Sequence, residues 1–186
     1  FVMGEGGAAL IVESLESAQQ RGANVLCEIV GTGMSADAYH LTAPHPDGEG
    51  AKAVMNLAIK EAGIFPEDVD YINVHGTSTP VGDLAELAAI EDIWSGRSSN
   101  TMISSTKSMT GHLLGAAGAL EALALMVSMQ QSTVPPTINV ANPDPNLPEE
   151  LDIVFDKARP KEVTYALSNT FGFGGHNASV LLKKFD

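Results

Sequence analysis

The chain has 186 residues, 44% of them hydrophobic and 18% charged, with a formal net charge of −13 at pH 7, which describes a globular protein able to bury a substantial core. The acidity argues against nucleic acid as the main partner, because phosphate binding needs clustered Lys and Arg, and the short basic cluster Lys157, Arg159 and Lys161 reads as a solvated loop. A single cysteine allows no internal disulfide, as in a reducing compartment, and the longest apolar stretch, residues 113–127, is broken by Gly115, Gly118 and Glu121 and is too short for a membrane span.

The opening FVMGEGGAALIVESL has no initiator methionine and no cleavable leader, and reads as the middle of a longer protein. Residues 8–12 are apolar and predict a strand; residues 13–21 predict a helix that stops at Gly22. A second strand is predicted over 25–30, followed by a long irregular connection, GTGMSADAYHLTAPHPDGEG. Val54, Leu57, Ala58 and Ala62 keep the spacing of one helical face, so a helix is predicted over 51–62, ending at Gly63. A strand over 70–74 leads into a loop bearing His75. The next helix is expected to use Thr79 as N-cap and Pro80 at its first position, with Asp83 and Glu86 in its early turns.

Strand 101–105 precedes Lys107, placed in a loop, and an apolar helix is predicted to begin near Thr110 and to be covered on most sides. VPPTINVANPDPNLPEE reads as an ordered connection. Two last strands, 163–167 and 178–182, flank the turn SNTFGFGGHN. Alternating strands and helices predict an α/β fold in layers.

Chemistry-bearing residues gather in three Gly/Ser/Thr-rich stretches. His75 sits where a strand ends, the usual ligand position of open α/β sheets; alone it is as readily a structural histidine, but Thr77, Ser78 and Thr79 beside it supply hydroxyls that suit a polar substrate arm. His112 is expected in the first turn of the apolar helix, where the helix dipole disfavours a positive charge. A neutral imidazole there can donate a hydrogen bond to a developing oxyanion. Lys107 has two readings, a cation tuning this site or a structural ion pair with Glu121, the one charge inside the apolar helix, and the two are compatible. Gly172, Gly174 and Gly175 would let backbone N–H groups approach a ligand, with Phe171 and Phe173 either part of that site or plain core residues. Cys27 lies in an alternating strand pattern without a helix start or an adjacent cation, which argues against a nucleophile. His40 and His45 lie in a loop without helical i, i+4 spacing, so no metal site is expected.

Together FVMGEGGAALIVES, VHGTSTPVGDLAE, SSTKSMTGHLLGAAGALEA, VPPTIN and SNTFGFGGHNASVLL resemble the C-terminal half of β-ketoacyl-acyl carrier protein synthases, the condensing enzymes of fatty acid elongation, of the elongating (KAS I/II) type. The resemblance implies a thiolase-like layered fold, helix-sheet-helix-sheet-helix. Residues 1–24 would be the last strand and helix of its first half and residues 25–186 its second half. It implies decarboxylative condensation of malonyl-acyl carrier protein with an acyl chain held on a cysteine of the first half, which this chain lacks; alone, the chain should be inactive. By motif position His75 and His112 become the decarboxylation histidines, Lys107 the accompanying lysine and Glu121 its acidic partner. Phe173 becomes the gating residue and, through its N–H, an oxyanion donor, with Phe171 packing nearby on the glycine loop formed by Gly172 and Gly174. Thr77 and Thr79 become contacts to the pantetheine arm. The resemblance implies no cofactor. It further implies acyl carrier protein as partner, a homodimer of the full enzyme, no nucleic-acid or membrane partner, and a cytoplasmic or organellar location. Two rival readings are a non-catalytic chain-length-factor subunit and a ketosynthase domain of a modular polyketide synthase; the presence of both histidines argues against the first.

Overall fold

The computed structural model describes residues 1–97 and 100–185. Its elements in chain order are α1 (Leu15–Gln20), β1 (Cys27–Ala36), α2 (Glu49–Ala62), β2 (Tyr71–Asn73), α3 (Gly82–Trp94), β3 (Met102–Ser104), α4 (Lys107–Thr110), α5 (Ala117–Gln131), β4 (Thr133–Val134), β5 (Asp152–Ile153), β6 (Arg159–Pro160), β7 (Tyr165–Gly172) and β8 (His176–Lys184). Six strands form one mixed sheet in the order β1-β8-β7-β2-β3-β5, and β4 with β6 makes a small separate pair. The four strands β7, β2, β3 and β5 run parallel, while the β1-β8 and β8-β7 pairings are antiparallel.

Helices cover both faces of this sheet. On one side α2 buries Val54, Met55, Ala58 and Ile59, the i, i+1, i+4, i+5 pattern of a helical face, and joins Ile90 and Ile93 of α3 over Ile72, Ile103, Leu167 and Leu181. On the other, Leu125 and Met129 of α5 pack with Tyr71, Val134, Val154 and Leu182. Burial of such aliphatic side chains contributes about 1.5–3 kcal/mol each. The helix α5 is less enclosed than its composition predicts, since Leu123 and Val127 stay 42% and 47% exposed.

The sheet reaches close to α2 because β1 carries glycines on its inner face. A Cβ on Gly31 or Gly33 would collide with the carbonyl oxygens of Ala58 and Val54. Gly33→Ala is therefore expected to lower stability by about 1–3 kcal/mol, read as a lower denaturation midpoint with an unchanged slope. These same glycines hid the strand from the sequence, where 31–36 was expected to be loop. Three further expectations are corrected. Residues 8–12 form no strand, because no strand among the described residues pairs with them, and Ile11 is 92% exposed; the helix after them is confined to Leu15–Gln20, with Ser14 accepting the Ser17 N–H. The cap of α3 is not Thr79. That helix starts at Gly82, and the Asp83 carboxylate accepts the N–H groups of Ser78 and Thr79 (3.1 and 3.4 Å). The apolar helix begins at Ala117, after a single 3-10 turn at Leu114–Ala116, so His112 lies in the connection between α4 and that turn.

Candidate active site

Parallel strands β2, β3 and β7 end on the same edge of the sheet, and each delivers part of one site there. The register pairs Asn73 with both Ser104 and Ser168, so His75 after β2, Lys107 after β3 and Phe171 at the end of β7 converge. The carboxylate of Glu86, 2% exposed on α3, accepts the backbone N–H groups of His75 (2.9 Å) and Gly76 (3.0 Å) and so fixes the loop. Asn169 Nδ2 donates to the same carboxylate at 3.0 Å, and Ser179 Oγ donates to Asn169 Oδ1 at 2.6 Å. Burial lifts Glu86 to a pKa of about 7 against the opposing pull of those N–H donors. The Ser105 hydroxyl ties the Gly76 carbonyl to the β3 side at 2.8 Å.

The rings of His75 and His112 meet edge to face with centroids 5.3 Å apart, and Phe171 lies 5.6 Å from His75. Burial, then the positive charge of Lys107, then His112, push His75 down to a pKa of about 3. His112 is lowered by burial first and Lys107 second. Both rings are therefore neutral at neutral pH, but for His112 the cause is desolvation and a nearby cation; the helix dipole invoked from the sequence does not act, because no helix starts there. The Leu114 N–H donates to His112 Nδ1 at 3.2 Å, so the proton of the neutral ring sits on Nε2 and leaves that nitrogen as the donor. The His112 backbone is pinned on both sides, its N–H to the Val2 carbonyl (2.8 Å) and its carbonyl to the Gly4 N–H (3.0 Å). His75 Nδ1 is buried without a hydrogen-bond partner.

Lys107 is buried and its ammonium contacts Glu121 on α5, the two side chains being only 4% and 3% exposed. Burial holds Glu121 above the ordinary carboxylate range, with Lys107 acting against it. Lys107 is thus at once ion-paired and close enough to bias both imidazoles.

His75, His112, Thr77, Thr79, Phe171 and Phe173 line one cavity of about 560 Å³, and Gly172 is part of its wall. Lys107 instead faces an adjoining cavity of about 840 Å³ that shares His112, Thr77 and Thr79. The hydroxyls of Thr77 and Thr79 bond each other at 3.2 Å. Phe173 is 70% exposed at the mouth, on a turn where Gly174 has φ +85°, a conformation that favours glycine. The Gly174 N–H is bound to the Leu41 carbonyl at 2.7 Å, so Gly174 is tied to the loop after β1 and does not itself line the cavity. Cys27 sits on the edge strand β1, far along the sheet from this edge, and burial and Glu28 raise its thiol pKa, the opposite of what a nucleophile needs.

Two further residues of the same cavity carry no signal of a site in the sequence. Asp37 accepts from Asn177 Nδ2 at 2.6 Å and from the His45 N–H at 3.1 Å, and both Asp37 and His45 line the same cavity. Glu86 carried a usable signal, a lone carboxylate inside the apolar run LAELAAI, the same signal that drew attention to Glu121.

Residues 26–141 match the family model of the β-ketoacyl synthase C-terminal domain. The chain is 55% identical over 186 residues to 3-oxoacyl-[acyl-carrier-protein] synthase 2 of Staphylococcus aureus (strain COL), covering 100% of this chain and 44% of the relative. It is 52% identical to the enzyme of the same name from Synechocystis sp., again over 44% of that protein. The chain therefore spans less than half the length of these curated relatives. Among solved structures, the ishigamide ketosynthase/chain length factor superposes with a TM-score of 0.90 at 40% identity, covering 99% of this chain and 44% of that one. A type II polyketide ketosynthase in complex with its acyl-carrier protein gives 0.87 at 36% identity, covering 94% and 42%. The expected thiolase-like ketosynthase architecture is shared with these structures.

Proposed function

The chain belongs to the β-ketoacyl synthase family through its C-terminal domain, and from that premise we propose that it is the decarboxylation half of a condensing enzyme of fatty acid elongation. The observation that carries the reading is the pair of neutral, edge-to-face imidazoles at one cavity, with a buried Lys107 beside them. Cleavage of the bond between the malonyl carboxylate and its α-carbon releases CO2 and leaves the electron pair as an enolate on the thioester oxygen. Neutral N–H donors suit that oxygen, because they stabilise it without quenching the carbanion by proton transfer. His75 and His112 are assigned as those donors, and Lys107 as a cation that, after burial, helps keep both rings unprotonated and adds to the field.

The carbanion then attacks the carbonyl of an acyl group held as a cysteine thioester, whose oxyanion is assigned to the N–H of Phe173 and the cysteine's own N–H; collapse expels the thiolate and forms the β-ketoacyl product. That cysteine is assigned to a first half beyond this chain. Residues 1–24 would complete that half, and residues 25–186 form the second. Acyl carrier protein delivers both substrates, its arm passing Thr77 and Thr79, with Phe171, Gly172 and Gly174 shaping the gate around Phe173. The full enzyme is read as a homodimer in the cytoplasm or an organellar stroma; no helix of the described residues is long and apolar enough to cross a membrane.

Changing Cys27→Ser in the full-length enzyme tests the assignment of the nucleophile. Condensation within about twofold of the parent is expected; its abolition, with the fold intact by circular dichroism, would refute the assignment.

A further inference from the structure

A third imidazole, which the assigned reaction leaves unused, lines the cavity of the two histidines. His45 lines the same cavity as His75 and His112, and every other polar group it owns is occupied. Its backbone N–H donates to Asp37 Oδ2 (3.1 Å) and its carbonyl accepts from the Gly48 N–H (3.0 Å). Its ring packs edge-on against Tyr39 with centroids 4.8 Å apart, and Nδ1 accepts from the Asp47 N–H at 3.3 Å. Asp37 is itself anchored to the sheet by Asn177 of β8 and by its own N–H on the Gly175 carbonyl (2.9 Å). The ring is thus held in place, and Nε2 is the one nitrogen left to meet a ligand. With Nδ1 accepting, the ring N–H is on Nε2, and the side chain remains 28% exposed.

We infer that His45 is a binding residue for the substrate arm, donating an Nε2–H hydrogen bond to the amide carbonyl of that arm farther from the thiol, where it crosses the cavity. The inference rests on the function proposed above. An amide oxygen fits better than a phosphate, because Asp37 on the same cavity and Asp47, 3.9 Å from the His45 ring, carry charges that oppose an anion. A held donor avoids most of the ordering cost of making such a bond, and one neutral hydrogen bond is worth about 0.5–1.5 kcal/mol, a change of about two- to twelvefold in affinity.

The test uses the full-length protein and pantetheine itself, with its two amides, against N-acetylcysteamine, which is shorter and keeps only one; binding is measured by calorimetry and by the ring signals of the histidines in NMR spectra. Pantetheine should move the His45 signal, and His45→Ala should weaken pantetheine binding by about three- to tenfold, His45→Gln by no more than about twofold, since an amide N–H replaces the lost donor. Binding of the short compound should change less than that of pantetheine. Equal loss for both compounds would assign His45 a purely structural part in the loop, and an unchanged pantetheine affinity in His45→Ala would overturn the proposal outright. Because these readouts need no turnover, pantetheine binding through His45 in a protein that releases no CO2 from a malonyl thioester would refute the proposed function and leave the His45 contact standing.

Discussion

Replacing His112 by alanine in the full-length enzyme should cut CO2 release from a malonyl thioester by about 10²–10³-fold, the usual cost of removing one oxyanion donor, while acyl transfer onto the nucleophilic cysteine stays measurable. The asymmetry follows from where His112 stands. Its Nδ1 is committed to the Leu114 N–H, so the ring has a single donor to offer, aimed from a backbone pinned to Val2 and Gly4. The change also leaves the buried ion pair beside it untouched, so loss of rate is not expected to come with loss of fold. The pH profile should distinguish the mechanism further. An ordinary histidine titrates near pH 6.5, whereas burial and Lys107 push His75 to about 3 and lower His112; decarboxylation should therefore hold its rate as the pH falls through 6.5. The sign for stability is opposite: a histidine whose pKa is lowered by folding contributes stability that is complete above 6.5 and lost as the pH falls from there toward 3. A rate that drops by half near pH 6.5 would show that the donors are protonated there and would contradict the assignment.

Lys107→Ala should be the most destabilising single change in the site. It leaves Glu121 buried with no counter-charge, and its Oε2 already lacks a hydrogen-bond partner; breaking such a pair costs about 3–5 kcal/mol, which should appear as a lower denaturation midpoint. Because that variant can fail to fold, the double change Lys107→Met with Glu121→Leu separates the two roles of the lysine. Replacing both charges by apolar groups of similar size should restore stability close to the parent. It should not restore chemistry, because the cation that supports the enolate, and that adds to burial in keeping the imidazoles neutral, is gone, and CO2 release should remain down by roughly tenfold or more. Full activity in the stable double variant would reduce Lys107 to a structural residue.

How much of this was legible in the sequence follows from the range of the interactions involved. Helix α2 was readable because Val54, Ala58 and their neighbours repeat at helical spacing and Gly63 closes the last turn. The histidines and lysine were readable because the parallel strands end in glycine- and hydroxyl-rich loops, and only the order of the sheet was needed to bring them together. Most of what failed was set by contacts distant in the chain. Gly31 and Gly33 are poor strand formers taken alone, yet they are what the close approach of α2 requires. The start of α5 slid from Thr110 to Ala117 because Gly111, at φ +71°, and the 3-10 turn after it interrupt an apolar run that looked continuous. The wall formed by Asp37 and His45 could not be read at all, since it depends on bonds to Asn177 and Gly175, about 140 residues later in the chain.

The most direct test is CO2 release from a malonyl thioester by the full-length enzyme after iodoacetamide has blocked its reactive cysteine. Because decarboxylation is assigned to His75, His112 and Lys107, and acyl transfer to a cysteine outside this chain, CO2 release should continue while condensation stops. The alkylated peptide should lie outside these 186 residues. Label confined to Cys27, together with loss of both activities, would contradict that division of labour.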